Sequence, residues 1–247
     1  MPEASGAGQE AGLQLLPWGG QLLRADLPDG PLLYASPWPA APGAAVRGGI
    51  PVIFPQFAAQ GPLAKHGFAR NLPWRVTASS PAQVVAELGV MAGSRDDWPH
   101  AADLRLVTSL RREAGRDCFE QVIEVHNAGG ETWAFTGGLH PYWAVSDLSR
   151  VVVEGLPLSG IGSSVIDAWY PGGEPLCLRD GHRRVHLSQQ GFEGWQAWTP
   201  GPAHALTDLP MDDWRRFLCL EPMLMTPRAL RPGERWQGVL RAEVSHD

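Results

Sequence analysis

Arg216-Phe217-Leu218-Cys219-Leu220-Glu221-Pro222 reads as a buried β-strand. Its residues are bulky, glycine is absent, and the closing proline is expected to stop it. On a period of two, Phe217, Cys219 and Glu221 share one face and Leu218 and Leu220 the other. Glu221 is the anomaly, a carboxylate on an apolar face. Burial would disfavour its charged form and raise its pKa, which suits a general base. A wet strand end or an arginine partner is the alternative explanation.

Outward from this stretch the chain keeps a strand-and-turn rhythm. Residues 13–18 and 21–27 flank Gly19-Gly20 as a hairpin. Pro28-Asp29-Gly30 turns the chain into a short strand at 32–35. In Arg47-Gly48-Gly49-Ile50-Pro51-Val52-Ile53-Phe54-Pro55, two prolines speak against a regular central strand, and the glycine pair permits positive φ or close approach. Strands are expected at 74–78, 83–90, 103–112, 117–126, 131–140, 150–154, 176–188, 192–198 and 236–244. Residues 155–175 read as mostly loop. One helical turn is expected at 211–216, with Asp208 as a cap. Many short strands and almost no amphipathic helix predict an all-β, single-domain antiparallel β-sandwich or barrel spanning residues 13–247. Residues 1–12, small and acidic, read as a disordered tail.

A chain of 247 residues can bury roughly 70–75% of its unfolded surface, so it needs no disulfide or metal for stability. Its net charge of −6, with no basic stripe visible, argues weakly against a nucleic-acid binder. No apolar run is long enough to span a membrane, and the first twelve residues lack the features of a signal peptide. Cys118, Cys177 and Cys219 are scattered and odd in number, so they read as reduced core residues of a cytoplasmic protein. Eleven tryptophans are compatible with aromatic walls for a sugar or simply with core filling.

Chemistry-bearing candidates are Arg47 and Arg70, His66 and His140, Asp167 and Glu221. Both histidines sit beside glycine or proline, in loop-like segments. No zinc, calcium, phosphate-loop or dinucleotide motif is present, so no metal site is expected.

Read together, Arg47-Gly-Gly-Ile-Pro, His66-Gly-Phe-Ala-Arg-Asn-x-x-Trp74, Leu139-His-Pro-Tyr-Trp, Phe217-x-Cys-x-Glu-Pro and Pro232-Gly-Glu-x-Trp resemble the hexose-6-phosphate mutarotases. These are the glucose-6-phosphate 1-epimerases, within the aldose 1-epimerase group. The match is collinear from about residue 13 to about residue 244. The resemblance implies a galactose mutarotase-like β-sandwich with few short helices and a sugar groove on a concave sheet face. It implies no cofactor and a small sugar phosphate as the partner; the sequence does not reveal the oligomeric state, and a monomer is favoured. Its reaction exchanges α and β anomers by opening and closing the ring. By position, Glu221 would take the C1 hydroxyl proton and His140 would protonate the ring oxygen. His66 and Asp167 would bind the sugar, and Arg47 and Arg70 the 6-phosphate. The family pattern is broken at Gln56, Ala168 and Thr199. Those breaks leave open an unphosphorylated aldose as substrate, or a non-catalytic carbohydrate-binding protein on the same fold.

Overall fold

The computed structural model describes residues 12–38 and 43–246. The disordered tail expected at residues 1–12 lies outside that range except for Gly12. This residue opens the strand Gly12–Leu16 and pairs with Asp26.

The named strands pair antiparallel throughout. One sheet of eight runs Val152–Glu154, Leu176–Asp180, Arg183–Gln190, Arg235–His246, Arg116–Asn127, Ala102–Glu113, Gln83–Val90, Arg75–Ser79. The other large sheet runs Ile166–Pro171, Gly194–Thr199, Phe217–Leu230, Trp133–Leu139, Val52–Ile53. Tyr142–Ala144 also pairs with Phe217–Leu230. A small sheet joins Gly12–Leu16, Gln21–Leu27 and Gly30–Pro31. Helical geometry among the described residues is confined to three single 3-10 turns, Ala69–Asn71, Leu148–Arg150 and Asp213–Arg216.

The two large sheets face each other. In Ala102–Glu113, Leu104 and Leu106 are buried while Asp103 and Arg105 face water, the alternation of a sheet with one wet side. Phe119 of the eight-stranded sheet meets Trp143 of the other edge-to-face at 6.5 Å, and Trp236 meets Phe135 at 5.4 Å. By contrast, Phe217 to Leu224 are buried on both faces. Leu218 and Leu220 look into the sandwich, and loops cover the other side. Each fully buried Leu or Phe stabilises the fold by about 1.5–3 kcal/mol relative to exposure. Such a strand can carry one costly residue, and that residue is Glu221, 1% exposed.

Pro222 does not stop this strand, which continues to Leu230. The reason lies in the neighbours. Tyr142–Ala144 pairs with Phe217 to Cys219, and Trp133–Leu139 takes over at Met223, both on the same side. Between them the ladder is interrupted at Pro141 on one strand and Pro222 on the other, two residues without an N–H to donate. The Leu220 carbonyl at the gap accepts from the Trp143 indole N–H at 3.1 Å.

Three other expectations are corrected. Residues 176–188 form two strands, because Gly181, at φ +62°, turns the chain between them. Residues 166–171 form an edge strand where loop was expected. Asp208 caps no helix, because its carboxylate is held by Arg47. Among the described residues no helix is long and apolar enough to cross a membrane.

The glycine pair at 48–49 requires both features suggested by its sequence. Gly49 has φ +60°, and a Cβ there would collide with the Leu22 carbonyl. Gly49→Ala is expected to destabilise the protein by about 2–4 kcal/mol, from backbone strain plus the clash. The shift of the urea midpoint at unchanged slope measures it, and an unmoved midpoint would contradict the packing described here.

Candidate active site

The interruption in the ladder creates the site. Cys219 faces Tyr142 and Met223 faces Gly138, so the register is unchanged across the gap. Glu221 therefore falls opposite His140. On its other side Glu221 pairs with Gln196. Period-two alternation then puts two rows on one sheet face: Trp169, Gln196, Glu221, His140, and Asp167, Trp198, Cys219, Tyr142.

His140 Nε2 lies 3.5 Å from Glu221 Oε1. Both residues are buried, at 7% and 1% exposure. Beside them is a cavity of about 200 Å³, to whose lining both contribute. The backbone N–H of His140 donates to the Pro51 carbonyl at 3.0 Å, which anchors the residue between the two prolines. Tyr142 stacks on the imidazole, with ring centroids 4.9 Å apart and planes 8° from parallel. Trp198 meets it edge-on at 5.9 Å.

Burial pushes Glu221 well above its ordinary value, and the nearby Asp167 carboxylate adds to the rise against the opposing pull of Lys65. Burial also holds His140 well below its ordinary value, and His66, Arg47 and Arg70 add to that. Glu221 Oε2 and His140 Nδ1 are buried without a hydrogen-bond partner among the described residues. Unsatisfied groups of this kind cost about 1–3 kcal/mol each, so stability alone does not account for them.

His66 stands beyond His140, with ring centroids 5.8 Å apart. Its backbone is left-handed, at φ 69°, which is uncommon outside glycine. The N–H of Ala58 donates to its Nδ1 at 3.2 Å, leaving the proton on Nε2. Burial, then the charges of Arg70, Lys65 and Arg47, push its pKa down to about 3. It is a neutral donor at physiological pH.

Of the two arginines, Arg47 is engaged. Its Nε donates to both Asp208 oxygens at 3.2 Å, and its Nη1 to the Tyr142 hydroxyl at 3.1 Å. Arg70 is freer. Its Nη2 donates to the Lys65 carbonyl at 2.9 Å, and its Nε is buried without a partner among the described residues. At the other end of the row, Gln196 Nε2 donates to Asp167 Oδ1 at 2.7 Å.

All six residues singled out from the sequence therefore line one cavity. Lys65, Tyr142, Gln196, Trp198 and Asp208 line it too and were not singled out. Gln196 had a readable signal, a polar residue inside an apolar strand. Asp208 had none, because its partner is far away in the chain. Gln56, Ala168 and Thr199, where the family pattern is broken, do not line the cavity. Gln56 instead braces the 58–63 loop, donating to the Ala58 and Leu63 carbonyls at 3.1 Å. The tryptophans are mostly core: only Trp198 reaches the cavity, while Trp74, Trp98, Trp133, Trp143, Trp195, Trp214 and Trp236 are buried.

A family model described as Aldose 1-epimerase matches residues 6–166. Proteins of Cenchrus ciliaris and Salmonella typhimurium, both named as candidate glucose-6-phosphate 1-epimerases, are 29% and 32% identical to this chain over 231 and 222 residues. The alignments cover 80% and 76% of this chain and 70% of each relative. A solved structure of a candidate mutarotase from Salmonella typhimurium superposes with a TM-score of 0.81 at 25% identity, covering 95% of this chain and 87% of that one. A galactose mutarotase-like protein from Lactobacillus casei shares the fold, with a TM-score of 0.69 at 16% identity over 96% of this chain and 98% of that one. Sequence and fold agree, and the chain belongs to the aldose 1-epimerase family.

Proposed function

We propose that the chain interconverts the α and β anomers of an aldohexose 6-phosphate, with Glu221 and His140 moving the protons. The observation that carries this reading is the facing pair at 3.5 Å beside a cavity that both residues line. Ring opening removes a proton from the C1 hydroxyl and adds one to the ring oxygen. Those two oxygens share one carbon, so their acid and base can be close neighbours. Burial resists two separate charges, and the short contact favours an ion pair, so the pair holds one shared proton near neutrality. Opening uses the pair as carboxylate and imidazolium. C1 then rotates, closure runs the same transfers backwards, and the pair ends as it began.

The order of groups across the sheet supports the phosphate. C5 of a hexose carries both the ring oxygen and C6. A substrate with its ring oxygen at His140 sends its 6-substituent past His140, towards Arg70, Lys65 and Arg47. Its C1 side lies over Glu221, with Gln196 and Asp167 beyond for hydroxyls. The family relatives named as glucose-6-phosphate 1-epimerases favour the same reading.

A second reading, an unphosphorylated aldose, draws support from Arg47. Asp208 already neutralises that guanidinium. Exchange NMR on glucose 6-phosphate and on glucose tests both readings. We expect anomer exchange of the phosphate sugar to rise in proportion to protein. Exchange of the phosphate sugar at the buffer rate, with glucose accelerated, would install the second reading. Neither sugar accelerated would remove both.

A further inference from the structure

We infer that His140, Cys219 and Glu221 form a binding site for a zinc-like divalent cation that blocks the cavity. One donor atom from each residue lies within 4.8 Å of the others, and all three residues are buried. The set is imidazole nitrogen, thiol sulfur and carboxylate oxygen. Zinc and cobalt favour such a mixture, whereas magnesium and calcium favour oxygen alone. A second observation points the same way. Glu221 Oε2 is an unpartnered acceptor on a side chain 2% exposed, within the same cluster. The donors are also fixed before a metal arrives. Cys219 and Glu221 sit two residues apart on one strand face, and His140 is held against them by the interrupted ladder. His140 and Glu221 line the cavity, which supplies an access route, and Cys219 lies behind them, fully buried.

Coordination displaces the thiol proton of Cys219, and any proton on Glu221, to solvent. Thiolate and carboxylate then balance the two positive charges of the ion. Two features mark the site as inhibitory rather than as a resident cofactor site. His140 Nδ1 has no hydrogen-bond acceptor to orient the ring, a support worth about 10–100-fold in metal affinity. Arg47 and Arg70 line the same cavity and repel a cation there.

The test uses the full chain, free of sugar and chelator, with zinc or cobalt as the only added ligand. Calorimetry is expected to find one zinc site, weakened about tenfold or more by Cys219→Ala, since losing a ligand costs at least as much as losing its support. Cobalt is expected to give a near-ultraviolet thiolate-to-metal absorption that is absent in Cys219→Ala and retained in Cys118→Ser. Should Cys219→Ala fold poorly, Cys219→Ser serves, because it keeps the shape and loses the absorption. Absence of the absorption in the wild-type chain overturns the site, as does its survival in the Cys219 variants. Binding is read without sugar, so the result is separate from the proposed activity. A Cys219-dependent absorption in a chain that exchanges no anomers upholds the site and removes the activity. Where anomer exchange is present, zinc is expected to inhibit the wild-type chain at concentrations that leave Cys219→Ala active.

Discussion

Glu221→Gln is expected to lower kcat for anomer exchange by about 10²–10⁴-fold, the range for a positioned acid or base, with little change in KM. The same variant is expected to melt higher than the wild-type chain at neutral pH. Burial raises the folded-state pKa of Glu221 above its ordinary value of 4.5. The folded chain therefore binds more protons than the unfolded one between 4.5 and the raised value. Stability falls as pH climbs through that window and stays lower above it. Glutamine cannot ionise and escapes this penalty. The Tm difference should be near zero below pH 4.5 and should open as pH rises, by about 2–4 °C per kcal/mol for a chain of this size. Calorimetric scans across that range, beside exchange NMR, measure both effects. A variant retaining a tenth of wild-type kcat would remove Glu221 from the chemistry. A Tm difference independent of pH would mean that burial does not govern its charge.

Opposed effects of one substitution are the expected mark of a group kept for chemistry. The surroundings explain how the fold bears it. Pro141 and Pro222 each lack the N–H that would zip the sheet shut at this point. The backbone is interrupted where His140 and Glu221, the proposed proton carriers, face each other, and the indole of Trp143 satisfies the carbonyl left behind. A proline that looks like a strand terminator in one dimension is part of the site in three.

Much of this was legible in the chain because the signals are local. Alternation in residues 217–221 placed Glu221 with Phe217 and Cys219, and the sheet keeps that grouping. The prolines at 51 and 55 and the glycines at 48–49 announced an irregular segment, which has only Val52–Ile53 as strand. What could not be read depends on pairing across long separations. Asp208 looked like a helix cap, since Asp is a common cap residue. It meets Arg47 only because two distant loops close over one sheet face. Ala168 and Thr199 stood out against the family pattern, yet both miss the cavity, and no reading of their identities would have shown that. Asp167 falls in a segment, residues 155–175, that reads as mostly loop. As an edge strand it needs only one partner, and Gly194–Thr199 supplies it.

Arg70→Ala is expected to raise KM for glucose 6-phosphate by about 10–100-fold, the value of one or more charge-assisted hydrogen bonds of about 1.5–3 kcal/mol, and to leave kcat nearly unchanged. Among the cations at this end of the cavity Arg70 is the informative one to remove. Deleting the Arg47 side chain would also free Asp208 and strip the Tyr142 hydroxyl of its donor, so lost activity would report a disordered wall. Among the described residues Arg70 has no acidic partner, and its guanidinium is tied to the Lys65 carbonyl alone. Burial and the neighbouring Arg47 charge weaken its hold on its proton, partly offset by Tyr142, and the negative charge of an arriving dianion opposes that weakening. Arg70→Lys should recover only part of the loss, because an ammonium group cannot present two parallel donors to phosphate oxygens. Lys65→Ala should add a smaller increase in KM, since its side chain is exposed and water screens it. Exchange kinetics on glucose provide the control. A phosphate-reading Arg70 leaves that reaction untouched, so the ratio of kcat/KM for the two sugars should fall by the full 10–100-fold. Equal losses on both sugars would instead make Arg70 a brace for the His66 loop. No loss on either would shift the preferred substrate to the unphosphorylated aldose, with the proton chemistry of Glu221 and His140 unaffected.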